Sequence, residues 1–245
     1  MADSVMSPSS DQQKHTTLAQ PGRAYFKVIR ALLWKDWISA ARSPEVLTVM
    51  SVFAFMSLLV FYFAFELTTG PGPEISAGLL WVTLMFAGIL GFNRVMASER
   101  ESGCVDTLTQ VPVDRSAVFF AKWIGGFVNL LLVAALILSL FSLFFPISIL
   151  RWELACVVIL GSAGYAALGT LLATLTIRSS AREILLPLLL LPPAFPLLMA
   201  AVQATRHLLD GAGWEAIATW VNILIACDVI YLVLAWMLYD RLLEE

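Results

Sequence analysis

The chain has 245 residues, of which 60% are hydrophobic and only 13% are charged, and its formal net charge is -3. Soluble globular domains contain about 45–50% apolar and about 25% charged residues, so this composition excludes an ordinary soluble domain. The small net charge and the lack of a basic stripe in the sequence also exclude a nucleic-acid-binding protein.

The first 22 residues form a polar segment in which Ser, Gln, Asp and Pro are prominent. Such a segment cannot bury enough apolar surface to fold, so we expect residues 1–22 to be a disordered cytoplasmic tail that ends near Pro21 and Gly22. It contains no apolar run of the length found in a cleaved signal peptide, and we expect none there.

Residues 23–43 have the pattern of a basic amphipathic helix, with apolar side chains at spacings of three and four and cations on another face. A helix of this kind lies in the membrane surface, with its cations toward anionic headgroups. The alternative is a basic anchor that only sets the topology. The apolar set is Phe26, Ile29, Leu33 and Trp37, and the basic set is Arg23, Lys27 and Arg30.

Six stretches that follow are each close to twenty residues long and almost free of charge. A helix needs roughly 20 apolar residues to cross a bilayer core of about 30 Å, and a backbone in lipid must pair its own polar groups. The sequence therefore predicts an all-α polytopic membrane protein with six transmembrane helices. The predicted spans are residues 46–65, 75–92, 123–150, 154–177, 184–205 and 216–239.

The basic residues beside these spans fall mainly on one side, and cytoplasmic flanks are the ones that accumulate Lys and Arg. With a cytoplasmic N-terminus, twelve lie inside and only Arg151 and Arg206 lie outside. Both termini are therefore predicted to be cytoplasmic. The inside set is Arg23, Lys27, Arg30, Lys35, Arg42, Arg94, Arg100, Arg115, Lys122, Arg178, Arg182 and Arg241. Trp81, in the second span, suits a depth at the membrane–water interface.

The connection from residue 94 to residue 122 is the longest on the inner side and holds most of the loop charge. Ser98 followed by Glu101 fits a capping box, so we expect a short cytoplasmic helix from about Glu99, broken by Gly103 and Pro112. A charged helix in this place would offer a docking site to a soluble partner. The alternative is a solvated loop.

The fifth span carries Pro187, Pro192, Pro193 and Pro196. Each proline removes a backbone donor and clashes with the preceding turn, so we expect residues 191–197 not to be continuous α-helix. Broken backbone at this depth must be covered by protein or line a cavity. The segment is interpreted as a hinge or a re-entrant element, and the alternative is a kinked helix packed for shape alone.

Few side chains in the sequence are candidates for chemistry. Asp228 is the only carboxylate well inside a span, and it is interpreted as a structural hydrogen-bonding group, a conformational or ligand-binding group, or a helix-end residue. His207, beside Arg206, is the only histidine near the outer side, and a lone imidazole is a poor basis for a metal or stable haem site. No Walker A sequence is present, so no ATPase site of its own is expected.

Residues 98–122 carry a recognisable pattern that resembles the CcmB family, also called haem exporter protein B. The family pattern E-R-x-x-G-x-L-x-x-L-x-x-x-P-x-x-x-x-x-x-F-x-x-K is matched here except at Val105, where a leucine is common; Cys104 stands where the family has Thr or Ser. Residues 77–81 in the second span and 185–187 with 195–196 in the fifth agree as well. The matching residues are Glu99, Arg100, Gly103, Leu108, Pro112, Phe119 and Lys122.

This resemblance implies a subunit similar to ABC-2-type permeases, with residues 23–245 as its permease domain, in a bacterial inner membrane. It implies an ATP-binding partner similar to CcmA, and membrane partners similar to CcmC, CcmD and CcmE. The complex would export haem or release a haem-loaded chaperone, with haem contacted only transiently. The coupling loop 94–122 would dock the ATPase through Glu99, Arg100, Glu101, Gly103, Asp106 and Leu108.

Two other functions fit the same pattern of spans. One is a permease of this architecture that exports a polysaccharide, a lipid or a drug. The other is a membrane assembly scaffold that transports nothing. A self-contained ion-coupled carrier would need more intramembrane charge and an inverted repeat, and the sequence has neither.

Overall fold

A computed structural model describes residues 45–66, 71–101, 115–144, 151–176, 179 and 181–242. These residues form six long helices, and all six are long and apolar enough to cross a membrane. The six predicted spans are confirmed. The helices are α1 (Glu45–Glu66), α2 (Pro73–Glu101), α3 (Arg115–Phe144), α4 (Trp152–Thr176), α5 (Arg182–Leu209) and α6 (Trp214–Leu242).

Local sequence signals place several helix ends. Pro73 opens α2, at a position where the missing amide hydrogen leaves no helical bond unmade. At the end of α5, Gly211 adopts a φ of 84°. The amides of Gly211 and Ala212 then turn back to the carbonyls of Leu208 and His207, at 3.1 and 2.9 Å. Such a left-handed residue after the last turn is a common helix terminator.

The helices pack around α4, which contacts α2, α3, α5 and α6. In the most apolar stretch of each helix, the buried share is 72% for α4 and 67% for α2, against 17–33% for the other four helices. The two central helices are therefore surrounded by protein, and the other four present most of their surface to the bilayer.

Each end of the bundle has an ion pair between helices. At the end where α1 begins and α2 ends, which we call the basic end, Arg94 of α2 pairs with Glu45 of α1. At the opposite end, Arg206 of α5 pairs with Glu74 at the start of α2. Helix α2 supplies a member of each pair, so it is joined to α1 near one end and to α5 at the other.

The opposite end is closed by further contacts between helix termini. Arg151 donates from Nη1 to the carbonyl of Leu208 at 3.0 Å, so a cation lies at the C-terminus of α5. This is the terminus that a positive charge stabilises. Trp152 and Trp214, at the starts of α4 and α6, stack with their ring centroids 5.2 Å apart.

The predicted interruption of the fifth span is wrong, because α5 is continuous α-helix with all four prolines inside it. Proline has a φ value suited to helix, so its cost is the missing donor and the ring clash. Pro192 and Pro196 are exposed on α5. The hydroxyl of Tyr231 donates to the carbonyl of Pro193 at 2.6 Å. Tertiary packing thus outweighs the propensity of the prolines.

The capping box and the short helix from Glu99 are also wrong. Ser98 and Glu101 lie within the last turns of α2, which runs unbroken from Pro73. No Pro or Gly lies between Phe92 and Glu101, and the apolar face continues through Phe92 and Met96, which are buried. The connection predicted over residues 94–122 is therefore helical at both of its described ends.

Trp81, for which the sequence suggested an interfacial depth, faces protein on all sides. It is only 2% exposed, inside the bundle, and its indole Nε1 donates to the Thr205 hydroxyl at 2.9 Å. The predicted tail (residues 1–22), the interfacial helix (residues 23–43), and Gly103, Asp106, Leu108 and Pro112 fall outside the described residues.

The continuity of α5 predicts the effect of replacing Pro193. The carbonyl of Leu189 has proline nitrogens at both the third and fourth following positions, so neither can donate to it. Pro193→Ala restores the α-helical donor and should raise the free energy of unfolding in detergent by as much as about 3 kcal/mol. Pro73→Ala, at the first position of α2, is the matched control and should change little. Lower stability of Pro193→Ala would mean that the ring's packing outweighs the missing bond.

Candidate functional site

Inside the bundle, Asp228 of α6 lies against α4 at Gly164, a residue without a side chain. Asp228 is only 7% exposed. A Cβ atom added to Gly164 would overlap Asp228 Oδ1 and the Leu197 side chain of α5. The carboxylate therefore lies at the junction of α4, α5 and α6, and it reaches this position because Gly164 has no side chain.

The Asp228 carboxylate is incompletely satisfied. Its Oδ1 atom finds no hydrogen-bond partner among the described residues, and no described cation forms a salt bridge with it. Buried ionised carboxylates ordinarily have a cation or several donors around them. The surroundings of Asp228 suit a polar contact between α6 and α4.

Tyr231, one turn further along α6, connects the same helix to α5. Its hydroxyl donates to the carbonyl of Pro193, in the middle of the proline cluster. The amides of residues 192, 193 and 196 supply no donors to the preceding turn, so this stretch of α5 contains carbonyls without their helical partners. Asp228 and the Pro193 carbonyl therefore both lie where α6 meets α5, which the sequence did not predict.

The candidate docking residues lie far from this junction. Glu99, Arg100 and Glu101 form the last turn of α2, at the basic end, and the remaining candidates are outside the described residues. Eight residues before Glu99, Met50 of α1 packs into the space left by Gly91. The docking segment and Asp228 are thus two separate regions, connected through α2 and α4.

Sequence reasoning missed the residues that make the junction possible. Gly161, Gly164 and Gly169 of α4 receive Trp81, Asp228 and Phe92 respectively, at distances that leave no room for a Cβ atom. The spacing of three small residues along one apolar helix is a signal that the sequence does carry. It identifies a helix whose neighbours approach closely, although it does not identify them.

The candidate metal-binding and redox groups in the described part of the chain are its Cys, His, Asp and Glu side chains. No group of three or more His, Cys, Asp or Glu side chains there could hold a metal ion. Cys156 and Cys227 are free thiols. His207 is partly buried near the end of α5, next to the ion-paired Arg206.

Comparison with known proteins identifies the family. A family model described as CcmB protein matches residues 27–240, which include nearly all of the six helices. The chain belongs to the CcmB family. This confirms the resemblance that residues 98–122 carry in the sequence.

Individual CcmB relatives agree with the family match. The protein named Heme exporter protein B of Rhodobacter capsulatus is 32% identical over 156 residues, which are 60% of this chain and 70% of the relative. Heme exporter protein B of Haemophilus influenzae is 27% identical over 187 residues, 72% of this chain and 78% of the relative. That of Paracoccus denitrificans is 29% identical over 151 residues, 58% and 69% of the two chains.

A double-mutant cycle tests the contact between Gly164 and Asp228 in this CcmB-family chain. Gly164→Ala forces α6 and α5 away from α4 and should lower the free energy of unfolding by about 1–3 kcal/mol. In an Asp228→Ala background the same change should cost roughly 1 kcal/mol less, since one of the two overlapping side chains is gone.

Gly125→Ala is the matched control for this cycle, because a Cβ atom there meets nothing within 4 Å. It should leave stability unchanged or raise it slightly, since alanine favours helix. Denaturant titration in detergent measures all four free energies. Additive effects of the two changes at Gly164 and Asp228 would show that the two residues are not in contact.

Proposed function

We propose that this chain is the membrane subunit of an ABC transporter for c-type cytochrome biogenesis. In that complex it couples ATP hydrolysis by a partner subunit to haem export or to the release of a haem-loaded chaperone. The observation that carries the proposal is the match of the CcmB family model to residues 27–240. The names of the relatives, Heme exporter protein B, support the same function.

The ATPase site belongs to a partner similar to CcmA, since the sequence contains no Walker A segment. Its docking element is the segment from Glu99 through the connection that follows α2. Glu99, Arg100 and Glu101 provide charges at the end of a rigid helix, and the basic end faces the cytoplasm because most Lys and Arg residues flank it. The membrane is the bacterial inner membrane, with both termini inside and with CcmC-, CcmD- and CcmE-like neighbours.

Helix α2 is the element that carries a displacement from the docking segment to the far side of the membrane. Its 29 residues extend about 42 Å, longer than the bilayer core. Along that length Phe92 packs on α4, Trp81 packs on α4 and bonds to Thr205 of α5, and Glu74 pairs with Arg206 of α5. A movement of its inner end therefore reaches α4 and α5 through packed contacts.

The proline-rich part of α5 and Asp228 are assigned to the moving junction. A helix with missing backbone bonds bends at a lower cost than a regular one, so Pro187, Pro192, Pro193 and Pro196 provide a hinge. Asp228 lies where that bending changes the separation of α6 from α4. In this function haem is a transient ligand, and the chain transmits energy to the complex.

Charge reversal in the docking segment tests the partner. Glu99→Lys together with Glu101→Lys should weaken co-purification of the ATPase, because it reverses two charges on the last turn of α2. Glu215→Lys is the matched control, since Glu215 is an exposed residue in the first turn of α6 at the opposite end. Quantitative pull-down from detergent-solubilised membranes measures the bound ATPase. Equal recovery with the docking variant and with wild type would reject the assignment of these residues.

Replacement of His207 tests whether haem is a stable ligand. Haem iron is held by His, Met, Cys or Tyr side chains, and His207 is the single histidine among the described residues. His207→Ala should keep c-type cytochrome production, compared with a strain that lacks the chain. The purified wild-type chain should show no stoichiometric Soret absorbance. Loss of cytochromes at normal protein level, with haem retained by the isolated wild type, would favour direct haem carriage instead.

A further inference from the structure

In the described part of the chain, polar contacts join α5 to its neighbours on only one side of its proline cluster. These contacts fall within residues 193–209, which we call the outer segment, and they come from α2, from α6 and from the residue before α4. The outer segment is therefore fastened to three different parts of the bundle. The contacts are the hydrogen bonds from Tyr231 to the Pro193 carbonyl at 2.6 Å, from Trp81 to the Thr205 hydroxyl at 2.9 Å and from Arg151 to the Leu208 carbonyl at 3.0 Å, and the ion pair of Arg206 with Glu74.

Residues 183–191, which we call the inner segment of α5, are held by packing alone. Among the residues that the structure describes, no hydrogen bond or ion pair joins this segment to another helix. The start of α5 also has no side-chain cap, because its N-cap residue is Ala181. The two segments of one helix thus differ in how they are attached to the bundle.

The packing of the inner segment is also sparse. Its buried residues are Leu186 and Leu190, whereas Ile184 and Leu188 are 73% and 64% exposed. The outer segment is buried at shorter intervals, mainly through small side chains that let other helices approach closely. Displacing the inner segment therefore exposes less apolar surface than displacing the outer one. The buried residues of the outer segment are Ala194, Leu197, Ala200, Ala201, Ala204, Thr205 and Leu208.

The two segments meet where the backbone of α5 has the fewest helical bonds. Pro192 and its neighbour Pro193 carry no amide hydrogen. The carbonyls of Leu188 and Leu189 therefore both lack their helical donors, and two adjacent carbonyls without donors make this the place where α5 bends at the lowest cost. Pro192 lies ten residues after Arg182, the first residue of α5, which is about 15 Å along the helix and within a bilayer core of about 30 Å.

We infer that the inner segment of α5 is a lid that moves about Pro192 and Pro193, while the outer segment stays in place on α2, α4 and α6. The lid covers the surface against which Leu186 and Leu190 pack, so its movement uncovers the interior of the bundle at the basic end. The Tyr231 hydroxyl sets the limit of the movement, because it fixes the carbonyl of Pro193 to α6. The part of the lid in a transport cycle rests on the proposed function, and it narrows the hinge assigned there to one joint and one moving segment.

Distances between pairs of spin labels test the lid in the full chain, placed in lipid with an excess of unlabelled chain. The inner pair joins Leu188→Cys on the lid to Val52→Cys on α1. The outer pair, which is the matched control, joins Met199→Cys on the outer segment to Val60→Cys on α1, and all four positions are exposed. The inner pair should give a distance distribution roughly twice as broad as the outer pair, since only the inner segment moves. The native cysteines replaced by alanine are Cys104, Cys156 and Cys227.

Pro192→Ala tests the joint. Pro192 is exposed, so its replacement opens no cavity, and it gives the Leu188 carbonyl its helical donor. The inner pair should then narrow to about the width of the outer pair. Production of c-type cytochromes should fall by roughly three- to ten-fold, with the amount of the chain and its recovery of the ATPase unchanged, because the moving segment is stiffened. Pro73→Ala removes a proline away from the joint and should leave cytochrome production unchanged.

The spin-label distances decide the lid separately from the proposed function. An inner pair as narrow as the outer pair in the labelled chain that retains Pro192 overturns the lid, and so does an inner pair that stays broad in Pro192→Ala. Normal cytochrome production by Pro192→Ala, with the inner pair narrowed, overturns the part of the lid in the cycle. A strain that lacks the chain and still makes c-type cytochromes would instead reject the proposed function.

Discussion

The bundle depends on how closely other helices approach α4. Between helices in lipid there is little hydrophobic driving force, so association rests on close packing and on hydrogen bonds. Gly161, Gly164 and Gly169 remove the side chains that would hold α2, α5 and α6 away, and each of the three positions receives a large or polar side chain. The burial of α4, the depth of Asp228 and the position of Trp81 all follow from this surface.

The close approach also decides how the buried polar atoms are satisfied. Trp123 and Tyr165 donate to the carbonyls of Ala163 and Met85, at 3.0 and 2.7 Å, and each bond joins α4 to a neighbouring helix. Tyr231 donates to Pro193 in the same way. Aromatic residues with a polar end serve this purpose well, because the ring fills space while its single donor finds a carbonyl. The bundle is thus joined by side-chain-to-backbone bonds more than by ion pairs, which lie at its ends.

Several features of the fold could be predicted from the sequence because they depend on local composition. Runs of apolar residues must become helices in a membrane, which fixed the six spans, and the burial of Asp228 followed from its position within one of them. The failures have a common cause in tertiary contacts. The prolines of α5 and the Ser98–Glu101 pattern were interpreted from propensity alone, whereas α5 packs on α2, α4 and α6, and α2 continues as helix beyond the buried Met96. For Trp81, the residue type alone suggested an interfacial depth, because its contacts with Gly161 and Thr205 come from other helices and are not visible in the local sequence.

The division between buried and exposed helices connects this packing to function. The two most buried helices, α2 and α4, form the centre, and α2 forms an ion pair with α1 near one end and with α5 at the other. The peripheral helix α5 contains the four prolines, and α6 presents Asp228 inward and Asn222 outward. In the proposed function, a displacement of α2 at the basic end acts on α5 and then on α6, so one movement would alter both the Asp228 contact and the outward face of α6.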